Sequence, residues 1–249
     1  VHDGKPVVPF APFAGDASFD LAFTPKIARW KLDLYEKYGF KFAHILVTSN
    51  CIGEHAGGCA FMEYAAKKGI GVILWTKYME EFKNDDEGMK AMMRRLEYDN
   101  VLTQMVLDEP DVAIPSDVAR DFMRKLRPFF PYHPVHSNNT FLMVPMRYAN
   151  LETDILMIDD YLTNSMDVRT VESVVCNVDA MWEAGKPEGK PCFFFLVANN
   201  ISHNHPREPT YNEQIAQTYG CIAAGCTGLS YFYGEPVTPG DWRALVQLN

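Results

Sequence analysis

The sequence predicts a single (β/α)8 TIM barrel spanning residues 1–249, and three observations carry that expectation. Apolar runs of strand length alternate with amphipathic helical segments along the whole chain, the pattern of parallel βα units. Eight such runs can be counted, the number that closes a barrel. The rival, an open doubly wound sheet, would carry a Gly-rich phosphate loop after its first strand. Residues Ala11 to Asp20 contain no such fingerprint.

The elements read as follows. Val7 to Phe13 is strand 1, and Thr24-Pro25 opens the first helix with Thr as cap and Pro in the first turn. Ile27, Trp30, Leu34 and Tyr38 recur at helical spacing, and Gly39 ends the helix. Strand 2 is Phe42 to Thr48, a helix covers Glu54 to Lys68, and strand 3 is Ile70 to Trp75. A helix from Asp86 to Tyr98 has acids first and arginines later, as its dipole prefers. Strand 4 is Val101 to Leu107, and the helix Pro115 to Arg127 stops at Pro128. Strand 5 falls within Pro134 to Asn138, strand 6 is Ile155 to Ile158, and a helix covers Val168 to Ala184. Strand 7 is Cys192 to Val197. The capping box Thr210-x-x-Glu213 starts a helix to Ala224, strand 8 is Leu229 to Tyr233, and Asp241 caps a last helix.

Composition narrows the function classes. The net charge is -9, which disfavours a phosphate backbone as partner, so no nucleic acid is expected. No basic run suggests an anionic membrane surface, and the longest apolar runs are too short to span a bilayer. His203-x-His205 lies in a loop after strand 7 with no third ligand nearby in sequence, so no metal and no cofactor are expected. A chain of this length needs neither a metal nor a disulfide to fold. Cys51 and Cys59 would pair only in an oxidising compartment. Two glycosylation sequons, at Asn138 and Asn200, are compatible with a secreted or periplasmic location.

Barrel enzymes work at the C-terminal ends of their strands, and there the polar residues of this chain collect. Strand 2 leads to Asn50, and strand 3 to Trp75 and Lys77. Strand 4 ends in Asp108-Glu109-Pro110, and the strand 5 region supplies His136 and Asn138. Strand 6 ends in Asp159-Asp160-Tyr161, strand 7 in Asn199, and strand 8 brings Tyr231, Tyr233 and Glu235. Amides and carboxylates hydrogen-bond hydroxyls, while aromatic rings stack on pyranose faces. Aromatics make up 13% of the chain, which fits a glycan partner better than a phosphate ligand. Each strand end, taken singly, is also simply where a loop begins.

The paired acids are the sharpest signal. Glycosidic cleavage needs a carboxylic acid of raised pKa to protonate the leaving oxygen, and a second group to stabilise the oxocarbenium-like transition state. Glu109 is the expected general acid. Asp108 is its partner. Either Asp159 or Asp160 can be the nucleophile or base opposite, with Asp160 the first choice and Asp159 then a ligand for sugar hydroxyls; the plainer alternative has one of them bind hydroxyls or pair with Lys77. Pro110 is expected to hold Glu109 extended. The opposing reading makes Asp108-Glu109 a solvated loop or a helix N-terminus, since Asp111 and Pro115 follow closely.

Leu107-Asp108-Glu109-Pro110 resembles two groups of glycoside hydrolases. One is the clan A retaining barrels, whose fourth strand ends in Asn-Glu-Pro with Glu as acid/base. This chain has Asp108 in place of that Asn, and Ala198-Asn199-Asn200 where the clan has a nucleophilic Glu. The other comprises the family 20 hexosaminidases and family 123 N-acetylgalactosaminidases, which carry an Asp-Glu pair. That resemblance implies substrate-assisted cleavage of an N-acetylated sugar, with Asp108 steering the acetamido group and Tyr161, Tyr233 and Trp242 walling its pocket. Two further readings remain beside these: a non-catalytic carbohydrate-binding barrel or module of a larger secreted protein, and a lyase or aldolase with Lys77 as Schiff-base amine.

Overall fold

The computed structural model describes residues 8–16, 23–48, 57–77, 85–140, 151–163, 169–199, 207–232, 235–236 and 238–249. Eight parallel strands close in sequence order into one barrel. They are β1 (Phe10–Asp16), β2 (Phe42–Val47), β3 (Gly71–Thr76), β4 (Val101–Asp108), β5 (Val135–Thr140), β6 (Ile155–Asp159), β7 (Cys192–Val197) and β8 (Gly228–Phe232). The expected (β/α)8 class is therefore the observed one. Strand 1 is displaced towards the C-terminus, because the registered stretch begins at Phe10 against Leu229.

The described helices are α1 (Pro25–Lys37), α2 (Gly57–Lys68), α3 (Asp86–Arg95), a short α4 (Pro110–Ala113), α5 (Ser116–Leu126), α6 (Val171–Gly185), α7 (Tyr211–Ala223) and α8 (Pro239–Leu248). Capping chemistry sets most starts. Thr24 accepts from the Ile27 amide, and Thr210 and Glu213 form the expected box. A second box, Thr170 with Ser173, starts α6 at Val171 rather than at residue 168. The last helix starts earlier than expected, because Thr238 and not Asp241 is its cap. The Thr238 amide, which a capping-box acid at Asp241 would take, is held instead by Glu208 at 2.8 Å.

Alternation along each strand separates two apolar cores. Side chains such as Ile45, Leu74, Phe194 and Leu229 point out under the helices, whereas Phe13, Leu46, Ile73, Met105, Met157 and Phe195 fill the bore. Gly228 is required there: a Cβ at this position would sit 2.5 Å from the Phe193 ring.

Two histidines also lie in the bore, and their hydrogen bonds determine their protons. Thr103 Oγ1 donates to the Pro134 carbonyl (2.8 Å), so its contact with His136 Nδ1 (2.9 Å) places the hydrogen on that nitrogen. Ser230 Oγ donates to the Ala11 carbonyl (3.0 Å), which by the same logic makes His44 Nδ1 the donor at 2.8 Å. Both Nε2 lone pairs are buried without a hydrogen-bond partner. Burial keeps both rings neutral, pushing His44 well below the usual range and His136 down to about 3.

Candidate active site

A β-bulge builds the site. From Met105, which faces the bore, simple alternation would turn Leu107 inward and Asp108 outward. The pairing of β4 with β5 shifts between Met105 and Leu107, so that Leu107 lies opposite Ser137 and Asp108 opposite Asn138. Val106 and Leu107 consequently both join the outer core, and Asp108 faces the mouth on the same side as Asn138. Bulges next to active sites commonly re-aim a side chain in this way.

Glu109 follows in a left-handed conformation, φ 43° and ψ 46°. It is the one non-glycine residue with positive φ among the described residues. The expectation that Pro110 holds Glu109 extended is thus corrected: the residue before the proline turns sharply, and Pro110 opens α4. Such a conformation stores strain, and strained residues of this kind concentrate at functional sites. The helix-start reading is half right, since Glu109 precedes α4 but makes no capping bond with its side chain. Its amide donates to the Asn138 carbonyl at 2.7 Å. Asp111 then ties α4 to the end of β5, accepting from the Thr140 amide (3.0 Å) and hydroxyl (2.5 Å).

Opposite this turn, β6 delivers Asp159. It continues the inward series Ile155, Met157 and is 8% exposed. The Asp159 carboxyl lies close enough to that of Glu109 for each to affect the other's protonation. Burial raises Asp159 well above the usual carboxylate range, reinforced by the negative charges of Glu109 and Asp108. The Tyr161 hydroxyl and the Asn138 amide oppose that rise. Glu109 is raised as well, first by burial and then by Asp111, while the neighbouring Asp159 carboxyl works against the increase. Two carboxyls in this relation hold one proton between them over a range where isolated carboxyls have none. Asn138 Nδ2 also donates to Asp108 Oδ1 at 3.1 Å, which links all three acids.

Aromatic rings pave the rest of the mouth. Tyr161 stacks on Phe232 (5.3 Å), Phe232 on Phe13 (5.6 Å), and Phe13 lies 5.9 Å from Trp75. Lys77 sits above Trp75, its Nζ 5.9 Å from the ring. The expected residues brought together here are therefore Asp108, Glu109, Asn138, Asp159 and Tyr161, with Trp75 and Lys77 on the adjoining wall. Phe13 and Phe232 escape sequence reasoning because an aromatic in a barrel strand reads as ordinary core.

Other expected residues lie elsewhere. Asp160, anticipated opposite Glu109, points outward into the helix layer. Its carboxylate accepts from Asn177 Nδ2 at 2.7 Å and lies 3.4 Å from Arg169 Nε. Glu235 turns to α1, where Lys31 Nζ (2.5 Å) and the Tyr35 hydroxyl bind it. Asn199 donates to the Glu235 carbonyl at 2.6 Å, so it anchors the chain after β8. Tyr231 is buried on the outer face, its hydroxyl 3.3 Å from Thr218 Oγ1. His136 is deep in the bore, below the mouth. Trp242 packs on Tyr38 at 4.7 Å in the helix layer, away from any acetamido pocket at Asp108. Asn138 is 2% exposed, which removes it as a glycosylation site. Asn50, Tyr233, Cys51, Asn200, His203 and His205 lie outside the described residues. Among the described residues no cluster of three or more His, Cys, Asp or Glu could hold a metal, and no helix is long and apolar enough to cross a membrane.

No family model and no curated protein matches the chain. Solved structures do share its fold. A glycoside hydrolase family 17 β-1,3-glucanosyltransferase from Rhizomucor miehei superposes with a TM-score of 0.68 at 15% identity, covering 94% of this chain and 90% of that one. An endoglucanase from Pseudomonas stutzeri in complex with cellobiose gives 0.66 at 11% identity, over 100% and 94%. An exo-β-1,4-mannosidase from Opitutaceae bacterium strain TAV5 gives 0.67 at 13% identity, over 100% and 61%. The chain thus has the barrel fold of these glycosidases. At such low identity the likeness concerns architecture.

Proposed function

We propose that this protein is a glycoside hydrolase whose proton donor is the Glu109–Asp159 pair. The observation that carries the reading is the closeness of these two carboxyls at the C-terminal mouth of the barrel, where burial raises both above the usual carboxylate range. Glu109 is the exposed member and meets the glycosidic oxygen. Asp159, buried beneath it, shares the pair's single proton with Glu109, which passes it on and leaves both carboxyls ionised. The leaving oxygen gains that proton as its bond to the anomeric carbon breaks. Tyr161 and Phe232, both partly exposed beside the acids, supply aromatic surface for the sugar. A neutral glycan suits this mouth best, since an acidic sugar would meet three carboxylates.

The finer reading concerns the second group. Asn199 and Glu235, at the ends of β7 and β8, are occupied with each other and with α1, which argues against a nucleophile there. Asp108, held by Asn138, then orients the acetamido group of an N-acetylated sugar, whose oxygen attacks the anomeric carbon. A panel of nitrophenyl glycosides, with and without N-acetyl groups, tests both levels. Hydrolysis should fall about 10²- to 10⁴-fold in Glu109→Gln with the far-ultraviolet spectrum unchanged. Undiminished hydrolysis in that variant would sink the assignment. Binding without cleavage across the panel would leave a carbohydrate-binding barrel in its place.

A further inference from the structure

A second hollow lies at the other end of the barrel. Its walls come from α3, the α3–β4 connection and the α5–β5 connection, which run into the N-terminal ends of β4 and β5. It is therefore remote from Glu109, and the proposed hydrolysis makes no use of it. Its volume is about 380 Å³, within the roughly 300–1,000 Å³ of small-ligand sites.

At its floor Gln104 is 3% exposed, and its Oε1 has no hydrogen-bond partner. A buried bare acceptor of this kind costs stability unless a donor reaches it. The rim carries Phe129 and Tyr132, and Tyr132 is 86% exposed, the most exposed of the large apolar side chains described. Lys90 and Arg94 reach in from α3. Lys90 is paired with Glu87 at 2.7 Å, and Glu97 stands on the same wall as Arg94, so the charges balance and an anion gains little. An aromatic face, several polar contacts and an acceptor waiting for a hydroxyl together describe a neutral pyranose.

We propose that this hollow is a second carbohydrate-binding site, which takes one pyranose of a neutral oligosaccharide by stacking on Tyr132 and hydroxyl donation to Gln104. The choice of a sugar rests on the glycosidase reading; the need for a donor at Gln104 does not. The test uses the full chain carrying Glu109→Gln, titrated with cellohexaose, laminarihexaose, mannohexaose and chitohexaose while backbone amide shifts are followed. At least one sugar should move the amide signals of residues 129–133. Tyr132→Ala and Gln104→Leu should each weaken that response roughly five- to tenfold. Gln104→Leu should at the same time leave the unfolding temperature unchanged or raise it, which separates a binding role from a structural one. Tyr219→Ala, which removes an exposed aromatic from α7, should leave the response intact. Silence at residues 129–133 with all four sugars would overturn the proposal, and so would full affinity in Tyr132→Ala. Hydrolysis by the unaltered protein together with such silence refutes the second site alone. Sugar-induced shifts in a protein that cleaves nothing support the second site and refute only the hydrolase.

Discussion

Asp159 and Asp160 are chemically identical neighbours that meet opposite fates. Asp160 faces the helices and is met by Arg169 and Asn177. Asp159 faces the mouth, where the neighbouring charges are those of Glu109 and Asp108, and where no cation pairs with it among the described residues. The outer surface of the barrel wall treats its acids as structural charges and neutralises them with bases. The inner surface leaves its acids to compete for protons. Two further acids outside the mouth are matched in the same way, Glu235 by Lys31 and Asp154 by Arg127. At these positions the partners of an acid, more than its presence, separate the working face from the structural one.

The contrast breaks most sharply at the proton-donating pair. Asp159→Asn should lower hydrolysis about 10²-fold or more, yet stabilise the protein at neutral pH. The sign follows from the raised pKa: the folded state holds a proton that the unfolded chain releases above the ordinary carboxylate range, so stability declines as pH rises from there. Asp160→Asn should do the reverse, leaving turnover within a few-fold. By removing the carboxylate beside Arg169, which is 9% exposed, it should cost about 3 kcal/mol in urea unfolding. If Asp160→Asn abolished activity at unchanged stability, the division between inner and outer faces would fail.

Smaller effects sharpen the comparison within the bore. His136 is held neutral and titrates near 3 in the fold, whereas an unfolded histidine titrates near 6.5. The unfolded chain therefore binds the extra proton first, and its share of stability is intact above about pH 6.5 and lost as pH falls. Between pH 6.5 and 5 that loss is about 2 kcal/mol, measurable by urea titration at the two pH values. His136→Gln should flatten the slope over that interval.

Much of this architecture was legible from residue patterns. The apolar runs, the cap at Thr24 and the capping box at Thr210 located the strands and helices to within a few residues. The choice of Asp108-Glu109 rested on strand ends being where barrels put polar side chains. Orientation was not legible. Whether Asp159 or Asp160 turns inward depends on the phase of a six-residue alternation, and both phases look equally polar in sequence. The bulge before Leu107 changes that phase within β4 and has no residue signature of its own. The roles of Glu235 and Tyr231 depend on helices far off in the chain, through Lys31 and Thr218.

The left-handed turn at Glu109 has a consequence for how this chain tolerates change. Glycine would adopt that geometry without the side-chain penalty, which for other residues is about 1–2 kcal/mol. A collection of variants screened only for heat resistance should therefore accumulate Gly at position 109, with a higher melting temperature and no turnover. Retention of the glutamate in such a screen would mean that the turn is cheap, and that the protein gives up no durability to keep its working acid in place.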